Sequence, residues 1–326
     1  MRSITKPDLS DADISRLIQA GLGDGVRVAE HTEFTDGYFN AAHAVRLDDG
    51  REVVLKVAPD KGLTMLRYEV DLMQTEIEFF RRAAATGVPL PAMWHADADQ
   101  GFMIMERLGG MSLEHAKATM PPEQLLRIRR QLGAAAGAIT GVPGEVFGYP
   151  RRDGRTRSGS WSTSFLAFID DILADAVDTD RPLPRPAAEI RELVARQGGL
   201  LDTVTTPALV HFDLWDGNVF VIADEARWRI EGLIDGERAF YGDPIAELVS
   251  LTAFHPAAES DAVIDGFLGR PLTAGEQTRL CLYRTYLWLI LVAETAVRGY
   301  PAQENAELLN WASERLTADL TELAAA

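Results

Sequence analysis

Residues 209–237 leave the chain few ways to fold. The apolar pair Leu209-Val210 leads into His211-Phe212-Asp213-Leu214-Trp215-Asp216-Gly217-Asn218, and Val219-Phe220-Val221-Ile222 follows at once. Leu233-Ile234 then stops abruptly on Asp235. His, Asp, Asn and Gly at this density disfavour both helix and strand, so the octet is a loop held in an apolar frame, about one hairpin before Asp235. An Asp, an Asn five residues on and a further Asp after a hairpin suit a site that orients a hydroxyl and holds a hard cation such as magnesium, which takes oxygen ligands. A plain polar turn followed by an Asp-Gly turn would carry the same residues, so the rest of the chain decides.

Upstream, a short capped helix over 8–21 precedes three strands, Val26 to Phe34, Ala41 to Leu47 and Glu52 to Val57, with Asp48-Asp49-Gly50 as a hairpin turn. Thr35-Asp36-Gly37-Tyr38-Phe39-Asn40 joins the first two strands, and Gly37 there would let backbone amides approach phosphates, as in other glycine turns. In the third strand the period of two sets Lys56 opposite Val53, Leu55 and Val57. Residues 64–85 read as one amphipathic helix, with Leu66, Val70, Met73, Ile77 and Phe80 on one stripe and Met65, Leu72 and Phe79 on a second. Glu69 and Glu76 project between these stripes. A carboxylate in an apolar arc needs a partner, and Lys56 is the obvious one. Strand-like runs at 93–96 and 101–105 lead into the polar connector Glu106-Arg107-Leu108-Gly109-Gly110, which marks a boundary between residues 1–107 and 108–326. Beyond it the chain is mainly helical: 121–140, 161–176, 187–201, 274–297 and 302–323. The stretch 141–160, with Arg151, Arg152, Arg155 and Arg157, reads as a solvated loop.

The 326 residues carry 32 basic and 49 acidic side chains, a formal charge of −17, which argues against nucleic acid as a partner because phosphate backbones need clustered Lys and Arg. Cys281 is the single cysteine, so no internal disulfide forms and a reducing compartment is expected. The first residues lack the apolar core of a secretory signal, and the longest apolar run, Tyr286 to Ala293, is too short to span a bilayer. The expectation is a cytoplasmic protein with no membrane partner; the sequence says nothing of oligomeric state.

The order glycine turn, strand Lys56, helix Glu76, connector, Asp213, Asn218 and Asp235 resembles the protein-kinase-like superfamily. The looser wording, His211-x-Asp213 with Asn218, then Asp235, then Gly242-Asp243-Pro244, is similar to the aminoglycoside phosphotransferase and small-molecule kinase family over roughly residues 26–255. Fructosamine kinases share the Asp-Leu-Trp-x-Gly-Asn wording of 213–218. The resemblance implies an α+β, bilobal fold with a small β-rich N-lobe and a larger, mainly helical C-lobe. It implies ATP and Mg2+ as cofactors and a small-molecule acceptor. Asp213 would accept or orient the acceptor hydroxyl, and Asn218 and Asp235 would hold magnesium. Lys56, fixed by Glu76, would bind phosphate oxygens. Gly37 and the connector residues Glu106 and Leu108 would lie against the nucleotide. His211 would brace the loop.

Three departures stand out: a single glycine in the first turn, Gly236 where many relatives carry an aromatic, and Glu247 where an Asp is usual. The gap between Asp235 and Asp243 leaves no room for a protein-kinase activation segment, so a protein acceptor is not expected. Candidate acceptor contacts are Asp216, Glu237, Trp161, Trp288 and Glu294. The readings that follow are a kinase for an aminoglycoside or another cationic amino-sugar-like compound, a fructosamine or other metabolite kinase, and a nucleotide-binding regulator without catalysis.

Overall fold

The computed structural model describes residues 4–34, 39–225, 227–299 and 302–325. The first helix, α1 (Asp11–Leu22), is held by a capping box in which Ser10 and Asp13 satisfy each other's backbone N–H. Strands β1 (Val28–Glu33), β2 (Ala41–Leu47) and β3 (Glu52–Val57) follow, then α2 (Leu72–Ala83), β4 (Met93–Asp97) and β5 (Phe102–Glu106). The strands form one antiparallel sheet in the order β1-β2-β3-β5-β4. Its two faces have different tasks. Val45, Val53, Leu55, Phe102 and Ile104 pack under Ile14, Leu17 and Ile18 of α1. Lys56, paired with Met103 in register, lies on the opposite face, where Met103 and Met105 meet Met73, Ile77 and Phe80 of α2.

The connector needs glycine at 110, where nothing larger fits. Gly109 and Gly110 donate their N–H groups to Glu231, and a Cβ on Gly110 would collide with the Val221 carbonyl. After it come β6 (Met111–Ser112), α3 (Leu113–Ala116), α4 (Pro122–Thr140), α5 (Trp161–Asp178), α6 (Ala187–Arg196), α7 (Gly198–Leu201), β7 (Ala208–Val210), β8 (Val219–Asp224), β9 (Arg227–Leu233) and β10 (Phe240–Gly242). The chain ends in α8 (Leu248–Thr252), α9 (Ala257–Leu268), α10 (Ala274–Val297) and α11 (Ala302–Ala325). By length and composition α10 could cross a membrane, but it lies in the protein core with Trp288, Leu289 and Ile290 buried. At the centre of the second lobe, Tyr149, Trp161, Phe165, Phe168, Phe212, Phe240, Tyr283 and Tyr286 form a continuous aromatic cluster.

Two expectations need correction. The helix expected over 64–85 begins only at Leu72. Residues 67–69 form a single 3-10 turn, and Asp71 takes a left-handed conformation at φ 59° that breaks the path. Glu69 is therefore not on the helix; it points into the second lobe, where Arg298 of the α10 terminus binds it. The loop 141–160 is not simply solvated either. Arg151 is buried, donates to the Arg67 carbonyl and stacks on Tyr149, while Arg152 reaches Asp99 at 2.6 Å and Arg155 pairs with Asp171. A helix absent from the sequence reading, α9, packs tightly on α4: a Cβ on Gly133 would collide with the Val263 carbonyl, and one on Gly266 with the Arg130 carbonyl.

Backbone cannot yield as an exposed side chain can, so Gly133→Ala is expected to cost roughly 1–3 kcal/mol of stability through overpacking. Chemical denaturation of the purified variant checks it.

Candidate active site

The loop between β7 and β8 is held by contacts from several directions. His211 donates its backbone N–H to Glu247 at 2.6 Å, and Leu214 donates to the Ser250 hydroxyl at 2.8 Å. Glu247 thus occupies the Asp position of similar sequences and still reaches the loop; burial pushes its carboxyl up to about 8. Phe212 has φ 67°, a left-handed conformation unusual for an aromatic residue. That geometry costs about 1–3 kcal/mol. It is offset by burying the Phe212 ring against Phe240 and Tyr286, worth roughly 1.5–3 kcal/mol. The result is a loop whose apolar residues face inward and whose Asp213 faces the cleft, with its side chain 18% exposed.

His211 cannot serve as a base here. Its Nδ1 accepts from the Asp213 N–H at 3.2 Å and its Nε2 lies 3.0 Å from the Ile234 carbonyl, which fixes the neutral tautomer with the proton on Nε2. Burial pushes its pKa down to about 4. It braces the loop against β9, as its ring does against Phe79 at 4.7 Å between centroids.

Asn218 donates through Nδ2 to the Asp213 carbonyl at 2.8 Å and to its carboxylate at 3.3 Å, so its amide oxygen is turned the other way. The Ile234 N–H donates to the Asn218 carbonyl at 3.0 Å, which ties the residue before Asp235 to the loop. Asp235 then takes φ 68°, a second left-handed residue, and its carboxylate meets Lys56. Lys56 Nζ is also 2.7 Å from Glu76 and 3.4 Å from Glu237. The three acids lie close enough together to share one metal ion. Burial pushes Glu76 up to about 8 against the pull of Lys56, with Asp235 and Glu237 adding to the rise. Burial opposes charge on Lys56 too, yet the three carboxylates outweigh it and hold the ammonium well above its ordinary value. Three carboxylates crowd one ammonium, and part of the excess is relieved by the proton that burial favours on Glu76. All the donors are hard oxygens, and the set fits a magnesium ion.

Beside Asp213 stands Arg238, with Nε 3.8 Å from the carboxylate. Burial pushes Asp213 up to about 7, and Arg238 pulls the other way. The sequence reading did not single out Arg238; a lone Arg in a turn carries no periodic signal. Glu237 was expected among acceptor contacts but faces Lys56 and Asn40 instead. The other acceptor candidates are occupied internally. Asp216 holds Arg129 at 2.8 Å and Lys117 at 3.1 Å; Trp161 donates to Tyr283 at 2.8 Å; Trp288 donates to Asp319 at 2.7 Å; Glu294 holds Arg238 at 2.7 Å. Gly37 falls outside the described residues. Glu106 and Leu108 lie in and beside the connector, where Glu106 pairs with Ala92 and the Leu108 side chain covers Gly232. Among the residues named from sequence, the structure gathers Lys56, Glu76 and Asp235 at one point, with Asp213 and Asn218 joined to it through Ile234.

A five-stranded antiparallel sheet over a mainly helical body, with this loop at their junction, is the fold of the protein-kinase-like phosphotransferases. The chain belongs to the phosphotransferase enzyme family, whose profile matches residues 30–282. It is similar in fold to a putative fructosamine-3-kinase from Thermobifida fusca, at 20% identity over 95% of this chain and 100% of that one, TM-score 0.65. It also resembles a choline/ethanolamine kinase family protein from Mesorhizobium loti, at 20% identity over 95% of each chain, TM-score 0.62. A third similar structure is the GDP complex of aminoglycoside 2'-phosphotransferase-IIIa, at 17% identity over 96% and 99%, TM-score 0.62. A search of curated protein sequences gives no match to the chain.

The glycine at 236 has a structural reason. A Cβ there would collide with the ring of Phe79, which leans in from α2 to fill the space an aromatic at 236 would take. Gly236→Phe should therefore destabilise by roughly 1–3 kcal/mol. Combined with Phe79→Ala it should cost less than the sum of the two single changes, a coupling that a double-mutant cycle of unfolding free energies measures.

Proposed function

We propose that the protein is an ATP-dependent kinase that transfers the γ-phosphoryl group to a hydroxyl of a small molecule. Residues 1–107 act as the nucleotide lobe and 108–326 as the catalytic and acceptor lobe. The observation that carries the reading is the Lys56 cluster: Glu76, Asp235 and Glu237, carboxylates from two lobes, share one ammonium beside a loop that presents Asp213. A divalent cation there would replace the proton that otherwise relieves the crowding of acids.

In this reading Lys56, oriented by Glu76, holds phosphate oxygens of the nucleotide. Asp213 accepts the proton of the acceptor hydroxyl as its oxygen attacks the γ-phosphorus and ADP leaves. Asn218 fixes the Asp213 carboxylate through its Nδ2 and turns its amide oxygen toward the metal side. Magnesium, when bound by Asn218 and Asp235, supplies charge neutralisation on the phosphate oxygens. Phosphoryl transfer needs little covalent help, so positioning and preorganised charge are the main contributions of the chain. Lys56, Asp213, Asn218 and Asp235 gathered in one site favour catalysis over a purely regulatory nucleotide-binding role. A cytosolic setting, where ATP is abundant, suits a chain whose single cysteine is buried.

A coupled assay of ADP release over aminoglycosides, amino sugars, ketosamines and nucleosides tests the reading. Asp213→Ala is expected to lower turnover by roughly 10²–10⁴-fold, the range for loss of a general base; undiminished turnover sinks the mechanism. Thermal denaturation with and without magnesium–ATP should show stabilisation of the unmodified protein, much reduced in Lys56→Met. The acid limb of kcat/KM should fall near pH 7, set by Asp213, with activity lost as pH drops through that value and the base is protonated. A limb unchanged in position when Arg238 is replaced by Met would count against that assignment.

A further inference from the structure

An acceptor hydroxyl has to reach the Asp213 carboxylate, and the charged side chain standing there is a cation, Arg238. Behind it the acids are already engaged. Glu294 of α10 accepts from Arg238 at 2.7 Å, from the Tyr68 hydroxyl and from Arg298 at 3.4 Å. Glu69 binds the same Arg298 and also accepts the Leu66 N–H at 2.7 Å. Both carboxylates are buried, at 3% residual exposure. Asp216, inside the loop itself, is turned away to Arg129 and Lys117. On α5, Asp175 and Asp178 hold Arg67, and Asp171 holds Arg155. The acid of α10 that acts on Asp213, Glu294, and its neighbour Glu69 are thus held by guanidinium groups, while Asp235 and Glu237 face Lys56 on the other side.

We infer that the acceptor is a neutral or anionic hydroxyl compound carrying at most one ammonium group, and not a polycationic amino sugar. This rests on the kinase reading above and narrows it. A polyamine is bound by carboxylates with free lone pairs. At the buried Glu69 and Glu294 an ammonium would have to displace an arginine from a charge-assisted pair before making its own, an exchange that gains little and leaves a buried guanidinium unpaired. The formal charge of −17 attracts cations at long range, but it does so over the whole surface. What meets a ligand next to Asp213 is the Arg238 guanidinium over the Tyr68 ring, 5.8 Å from its centroid, a surface suited to hydroxyl, carbonyl or carboxylate groups.

The probe is kanamycin, titrated by calorimetry at low ionic strength into the full chain loaded with magnesium and a non-hydrolysable ATP analogue. The expected result is no saturable binding into the millimolar range. Arg298→Gln removes the guanidinium that engages both Glu69 and Glu294, and it is expected to gain kanamycin binding at least roughly tenfold tighter than the unmodified chain. Saturable binding by the unmodified chain, or kanamycin-dependent ADP release from it, overturns the inference. So does a folded Arg298→Gln protein that binds no better than its parent. If that variant does not fold, the titration of the unmodified chain decides by itself. Absence of stabilisation by magnesium–ATP is a separate outcome, and it refutes the kinase reading rather than the charge assignment of the acceptor.

Discussion

Lys56 is the point on which the two lobes agree. It lies on β3, Glu76 on α2, and Asp235 and Glu237 on the turn after β9, so three separately folded pieces end at one ammonium group. Taking ions out of water costs several kcal/mol for each even after relaxation, and the cost is recovered only if the partners arrive in good geometry. Every element near the cluster is accordingly pinned: β3 by its antiparallel neighbours β2 and β5, the turn by the Ile234–Asn218 bond, α2 by the segment that precedes it. The cluster is held in place with more carboxylates than its one ammonium pairs.

The loop between β7 and β8 and the turn after β9 follow a similar trade between local cost and tertiary support. Phe212 and Asp235 are both left-handed and neither is glycine. Each aims a neighbouring or own carboxylate where an ordinary β-loop would not, and each is fixed by groups far away in sequence: the aromatic cluster for Phe212, the Lys56 pair for Asp235. Strain of this kind persists only where the surroundings over-determine it. The Asp213 carboxylate, lifted by burial and pulled back by Arg238, follows Phe212, whose ring packs against Phe240.

That Lys56, Glu76 and Asp235 meet was legible from order and residue type. A polar octet in an apolar frame has one local solution, and strand period set the side on which Lys56 had to lie. The strands of the sheet and the long helices were legible for the same reason, since each carries its own periodic signal. The segment 64–71 was not. Leu66 and Val70 continue the helical spacing of Met73 and Ile77, yet Val70 is 42% exposed and Leu66 is buried from outside the helix. What overrides the local pattern is Arg298, 229 positions away from Glu69, and no window of the sequence contains both. The helix α9 was missed because its apolar set, Val263, Ile264, Phe267 and Leu268, is short and interrupted by Gly266, the glycine that its close approach to α4 requires. The acceptor side was misread through charge: Asp216 and Glu294 are acids by sequence, but their arginine partners come from other helices.

The segment Leu66–Glu69 also decides which parts can move together. Tyr68 binds Glu294, Glu69 binds Arg298, and Arg67 binds Asp175, so the turn that launches α2 is fastened to α5 and α10 of the other lobe. Mechanically α2 then belongs to the lower body, although in chain order it lies between β3 and β4. A swing of the sheet over a fixed α2 draws Lys56 away from Glu76; a swing that carries α2 along has to break three interlobe contacts first. The Lys56–Glu76 pair thereby joins the sheet to a helix that is fastened to the other lobe.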